Sequence, residues 1–190
     1  VWIEKINHPV EPKGGTRLTA VYQLQPFELA LKDTVRIGIR YNNQIKDMKN
    51  ISLYYYNQKH GWTFLPSSIN KNRQVVSSTL HSLDAISIMQ DIEPPFIRKV
   101  YPENNGRFHY KDLKTIYIIA DDHLSGLNSD EKSMEMKLDG LSVRYAFQPI
   151  KKQLSFYLPT PLDAGEHKME YTVSDNAGNT ISGSSTFLVD

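Results

Sequence analysis

Two groups of residues in this 190-residue chain have the types and spacing to do chemistry. The first is "SDNAGN" at 174–179, where Asp175, Asn176 and Asn179 surround Gly178, together with Asp121 and Asp122 of "ADDHLSG". Calcium takes six to eight oxygen ligands from carboxylates, amides and carbonyls, and Asp121, Asp122, Asp175, Asn176 and Asn179 offer such oxygens. The same residue types also build turns, because Asp and Asn side chains bond nearby backbone amides and Gly supplies positive φ. Calcium ligation and turn formation both remain open for these five residues. The second group is aromatic. In "ISLYYYN", Tyr54 and Tyr56 alternate with Ile51, Leu53 and Tyr55, and Trp62 follows across a polar turn. Rings presented on an outer sheet face could stack on sugars, which makes Tyr54, Tyr56 and Trp62 candidate carbohydrate contacts. Strand tyrosines serve equally well as cross-strand packing pairs, with Trp62 in the core.

Other chemistry finds no support. The histidines at 8, 60, 81, 109, 123 and 167 make no H-x-x-x-H or H-x-H pair, so zinc spacing is missing. His167 lies on an apolar strand face, where one hydrogen bond would anchor a corner. Ser125 sits in no G-x-S-x-G elbow. "PKGGTR" lacks the G-K-[ST] of a phosphate loop. With no cysteine, disulfides, thiol catalysis and thiolate metal sites are excluded. The fragment is therefore not expected to be an enzyme, and calcium is the one cofactor worth testing. The charge argues against a nucleic-acid partner. Residues up to Ile92 carry 11 Lys+Arg against 7 Asp+Glu and the remainder 11 against 14, giving +4 and −3, or +1 overall. No apolar run reaches the ~20 residues of a membrane helix, so direct insertion is not expected. The chain opens on Val1 rather than Met, which reads as a processed or excised piece of a longer protein.

The elements that must position these residues are strands. Apolar residues recur at two, not at three and four. "TVRIGIRY" sets Val35, Ile37, Ile39 and Tyr41 against Arg36, Gly38 and Arg40. "TRLTAVYQLQP", "WTFL", "QVVSSTL" and "DAISIMQ" supply further strands. "DIEPPF" is the expected boundary, since consecutive prolines cannot donate to a ladder. Beyond it come "FIRKVY", "KTIYIIA", "SMEMKL", "LSVRYAF", "QLSFYL", "EHKMEYTVS" and "TISGSSTFLV". Asp139-Gly140 is a two-residue hairpin turn signal, because that turn needs positive φ at both positions. Seven strands with this spacing predict an immunoglobulin-like sandwich. The expectation is all-β: two tandem β-sandwich domains, 1–92 and 93–190, the second Ig-like with seven strands. If each strand reverses the last, Asp121 and Asp175 end strands that run to one pole. The Pro94-Pro95 linker falls at that pole as well, with Asp91 and Glu93 close by.

The stretches "IIADDHLSGL" and "DAGEHKMEYTVSDNAGN" resemble the bacterial Ig-like domains of secreted and surface proteins. Ala120, Asp121, Ser125, Gly126, Gly165, His167, Asp175, Ala177, Gly178 and Asn179 match their recurring pattern. The resemblance covers residues 94–190 and implies a noncatalytic accessory role. In the first half, Tyr22 to Pro26 and "LYYYNQKHGW" resemble β-sandwich modules found beside such domains, some of them in cell-wall zinc endopeptidases. The expected function is a structural or spacer module of a larger secreted or cell-surface bacterial protein, placed outside the cell, at its surface or in the periplasm. Its expected partners are the neighbouring domains of the parent protein, or a surface glycan or protein. A carbohydrate-binding module, and an accessory region of a cell-wall metallopeptidase with its catalytic domain elsewhere, are the alternatives.

Overall fold

The computed structural model describes residues 1–42, 45 and 47–190. The fold is all-β, and the chain divides into two compact units. The first comprises residues 1–93 with the short segments 123–126 and 176–179, and the second comprises Pro94–Asp122, Leu127–Asp175 and Thr180–Asp190. The units are thus discontinuous in sequence, which period-two alternation along the chain does not reveal.

In the first unit the strands are β1 (Trp2–Ile6), β2 (Gly15–Arg17), β3 (Val21–Gln25), β4 (Leu29–Arg40), β5 (Ile51–Asn57), β6 (Gly61–Leu65), β7 (Ser68–Asn70), β8 (Val75–Leu83) and β9 (Ala85–Asp91). They make a six-stranded sheet, β1-β3-β9-β5-β6 with β2 also on β9, and a three-stranded sheet, β4-β8-β7. One core lies between the sheets. Leu24, Leu53, Ile86 and Ile88 of the larger sheet meet Ile39, Val76, Leu80 and Leu83 of the smaller. Fully burying each such side chain contributes about 1.5–3 kcal/mol. The alternation of β5 is clear here: Ile51, Leu53 and Tyr55 join this core, while Tyr54 and Tyr56 take the opposite face. The predicted strand "TRLTAVYQLQP" is broken into β2 and β3, and β1 and β7 are strands that the alternation did not mark.

The second unit contains β10 (Phe96–Tyr101), β11 (Arg107–Phe108), β12 (Thr115–Asp121), β13 (Met134–Leu138), β14 (Leu141–Ser142), β15 (Ala146–Gln148), β16 (Gln153–Tyr157), β17 (Gly165–Ser174) and β18 (Thr180–Val189). A four-stranded sheet, β10-β12-β16-β15, faces a five-stranded one, β11-β18-β17-β13-β14. Ile116, Ile118, Ala120 and Leu154 from the first pack on Met134, Met136, Met169, Val173 and Phe187 from the second. All seven predicted strands occur, but "LSVRYAF" does not run as one. It leaves the five-stranded sheet after β14 and enters the other as β15. Leu141 is 74% exposed, because it sits directly after the turn that reverses the chain. That turn is Asp139-Gly140, with φ of 51° and 80°, the geometry a two-residue hairpin requires. The short β11 runs parallel to β18, a pairing with no local sequence signal.

Candidate functional site

The three aromatic candidates stand together in the first unit. Cross-strand register puts Tyr54 opposite Phe64 and Tyr56 opposite Trp62. The face they occupy is covered, however. Tyr54 has no accessible surface and Trp62 is only 9% exposed, both in a cluster with Val21, Ala85, Met89 and Leu124. The segment after β1 forms the cover. The Trp62 indole N–H donates to the Val10 carbonyl at 2.8 Å, and the Arg17 guanidinium lies 6.0 Å from the Trp62 ring. The His8 ring stands edge-on to Tyr56 at 4.2 Å and to Trp62 at 5.1 Å. Burial is the chief reason that the His8 imidazole sits below its ordinary pKa. Tyr56 meets Trp62 at 64°, so the rings make no coplanar platform. The sugar-stacking expectation is corrected here: Tyr54 presents no open face, and Trp62 next to none.

Asn176 and Asn179 also belong to the first unit, where both are fastened to backbone or to another side chain. The Asn176 amide nitrogen donates to the carbonyls of Ser125 at 2.8 Å and Gly126 at 3.2 Å, while its backbone N–H donates to Gly126 at 2.9 Å. Asn179 donates to the Asp91 carbonyl at 3.3 Å, and its side-chain oxygen accepts from Asn50. Gly178, at φ 95°, completes the turn between β17 and β18. The centre of this arrangement is a residue that residue type alone did not single out as a fastener. Asp91 is 1% exposed, and its carboxylate accepts the Ser125 amide at 3.0 Å and the Glu93 amide at 3.3 Å. Its backbone N–H donates to the Asn50 carbonyl at 3.0 Å. The carboxylate thereby caps two backbone amides with its two oxygens. The one hint in the sequence is an acidic residue closing an otherwise apolar strand. Beside it, His123 reaches Glu93 at 3.0 Å.

Asp121, Asp122 and Asp175 lie in the second unit. Asp121 is held by an ion pair to Lys152 and another to Arg98 at 3.5 Å, and it accepts the Asp122 amide at 2.8 Å. Partial burial pushes its pKa up, but the Lys152 hydrogen bond, the Asp122 amide and the charges of Lys152 and Arg98 outweigh this and leave it lowered. Its charge is already answered by two cations. Asp175 has no accessible surface and bridges to Leu127 in antiparallel register, and the adjacent Asn128 amide donates to Ser174 at 3.0 Å.

His167 makes two hydrogen bonds, not the one expected. Nδ1 lies 2.7 Å from the Asp139 carboxylate, and Nε2 lies 2.9 Å from the Asp163 carbonyl. With an acceptor at each nitrogen, the doubly protonated ring is favoured. Burial lowers its pKa, but the Asp139 hydrogen bond, the Asp163 carbonyl and the nearby carboxylates prevail and raise it. Asp139 also accepts the Lys168 amide at 2.8 Å, so the hairpin turn is tied to β17.

No protein-family model and no curated protein matches the chain. Among solved structures it is similar to CopC from Methylosinus trichosporium OB3b, at 18% identity and a TM-score of 0.42, covering 50% of this chain and 93% of that one. It is also similar to dimeric latent PorU from Porphyromonas gingivalis, at 10% identity and a TM-score of 0.38, over 92% of this chain and 24% of that one. A third likeness, to Sidekick-1 immunoglobulin domains 1–4, has 12% identity and a TM-score of 0.32, over 85% of this chain and 45% of that one. These likenesses assign no role. The sandwich architecture stands on the strand pairings themselves.

Proposed function

We propose that this chain is a noncatalytic structural module of a larger secreted or cell-surface protein, of the bacterial Ig-like kind, and that its second unit is built to resist tension. The observation that carries this reading is the parallel pairing of β11 with β18. The bonds there extend beyond the two strands. Asn105 donates to Thr186 at 2.7 Å, Leu188 to Gly106 at 2.9 Å, Asp190 to Phe108 at 3.0 Å, and Tyr110 to Asp190 at 3.0 Å. The Asn104 side chain accepts from Thr186 at 2.9 Å, and Ser185 Oγ donates to the Pro102 carbonyl at 2.7 Å. Tension between residues 94 and 190 pulls β11 from its N-terminal side and β18 from its C-terminal side. Because the strands are parallel, the bonds between them are sheared together rather than opened one at a time. The fastening roles of Asp91, Asn176, Asn179 and His167 agree with a scaffold, since side chains capable of chemistry are committed to holding backbone.

Single-molecule pulling on the whole chain tests this. Forced unfolding follows the unfolding rate. Asn104→Ala should lower the rupture force of one unfolding event, whereas Ser142→Ala on β14, outside the sheared pair, should leave it unchanged. Equal rupture forces for wild type and Asn104→Ala would remove the reading.

A further inference from the structure

The first unit's sandwich is open along one side. The six-stranded sheet ends there in β1 and the three-stranded sheet in β4. Between these edges lies a cavity of about 540 Å³. Its floor is core, with Leu24, Ile39, Leu83 and Ile86 each no more than 6% exposed. Its lip is exposed and apolar, with Ile3 63% and Val35 38% exposed. Among the described residues no strand pairs with the outer edge of β4, twelve residues long. A free edge beside an apolar trough is a template for one more strand.

The charges say what kind of strand. Ile37 packs toward the core, so Arg36 and Arg40 occupy the other face of β4. Both are exposed, and among the described residues neither forms an ion pair. Four residues of extended chain separate them by roughly 13 Å. A strand laid against β4 would place its own outward residues about 5 Å from these guanidinium-bearing positions, where opposite charges stabilise and like charges destabilise. A second copy pairing β4 against β4 antiparallel would set arginine against arginine. At the β1 edge, Glu4 is already bonded to the Trp2 indole at 2.8 Å.

We propose that β4 is a docking edge for an extended segment of another protein whose apolar residues, entering the cavity, alternate with outward carboxylates. Backbone pairing to β4 provides affinity, the cavity selects the apolar face, and Arg36 and Arg40 select the acidic one.

The probe is a short peptide alternating valine with glutamate, titrated calorimetrically into the full chain, with amide hydrogen exchange on the complex. Binding should slow exchange along β4. Arg36→Glu with Arg40→Glu should weaken it roughly tenfold or more, the factor set by losing two cross-strand charge pairs. A valine–lysine peptide should then bind this variant in preference to wild type. Tryptophan emission in urea confirms folding, and Arg36→Gln with Arg40→Gln substitutes if the reversal unfolds the unit. The proposal is overturned if the glutamate peptide fails to bind at millimolar concentration. It is equally overturned if binding leaves β4 exchange unchanged or ignores charge reversal, or if sedimentation shows self-association that the peptide does not displace.

Discussion

Leu124 belongs by sequence to the loop after β12, yet it is 6% exposed in the first unit's second cluster, with Val21, Tyr54, Trp62, Ala85 and Met89. It sits so close above β2 that a Cβ on Gly15 would lie 2.3 Å from Leu124 Cδ2. Leu124→Ala removes three buried carbons, about 2.4 kcal/mol of transfer free energy at ~0.8 kcal/mol each. The residual cavity brings the loss to about 3 kcal/mol, inside the range for buried leucines. Both tryptophans, Trp2 and Trp62, are in the first unit, so their emission reports that unit selectively. With a urea m-value of about 2 kcal/mol/M, the emission midpoint should fall by roughly 1.5 M. Leu124→Met, which conserves volume, should cost less than about 1.5 kcal/mol. A shift below about 0.3 M in Leu124→Ala would mean that Leu124 is not part of this core, and the discontinuous first unit would have to be abandoned.

Two other outcomes are expected. His167 has its pKa raised in the folded state, so its contribution is fully present below the unfolded value of about 6.5 and disappears as pH climbs through the folded value. Calorimetry of the second unit should therefore show wild type losing stability relative to His167→Gln as pH rises above about 6.5; parallel profiles would contradict the doubly bonded imidazolium. Asp121→Asn should cost no more than about 1 kcal/mol, as partly exposed ion pairs do. Its thermal response to added calcium should match wild type, because Lys152 and Arg98 already neutralise this carboxylate. A calcium-induced rise in Tm that this substitution abolishes would reinstate Asp121 as a ligand.

Much of the strand plan was legible because strand side chains alternate between two faces, and faces of different chemistry leave a period of two. β5, β8, β9, β12, β13, β16, β17 and β18 all announce themselves in this way. The exceptions share a cause: alternation reports a face, not a partner. β1 carries Trp2 and Ile3 exposed at an edge, so its apolar residues mark no core. β11 is two residues whose parallel partner lies some eighty residues away. "LSVRYAF" keeps its alternation while changing sheets. The same limit governs the sites. Alternation correctly separated Tyr54 and Tyr56 from Leu53, but it could not show that His8, Val10, Arg17 and Leu124 would cover that face. Asn179 has the residue type of a ligand and of a turn, and only Asn50, distant in sequence, shows that its oxygen is engaged.

The discontinuity of the first unit also bears on synthesis. Residues up to Glu93 leave the ribosome well before Asn179, which the same unit requires. At roughly 5–20 residues per second the interval lasts about 4 to 17 s. For the first 31 residues of it, about 2 to 6 s at that rate, the patch of Val21, Tyr54, Ala85 and Met89 awaits Leu124, and nascent chains of this protein should be most open to chaperone capture then.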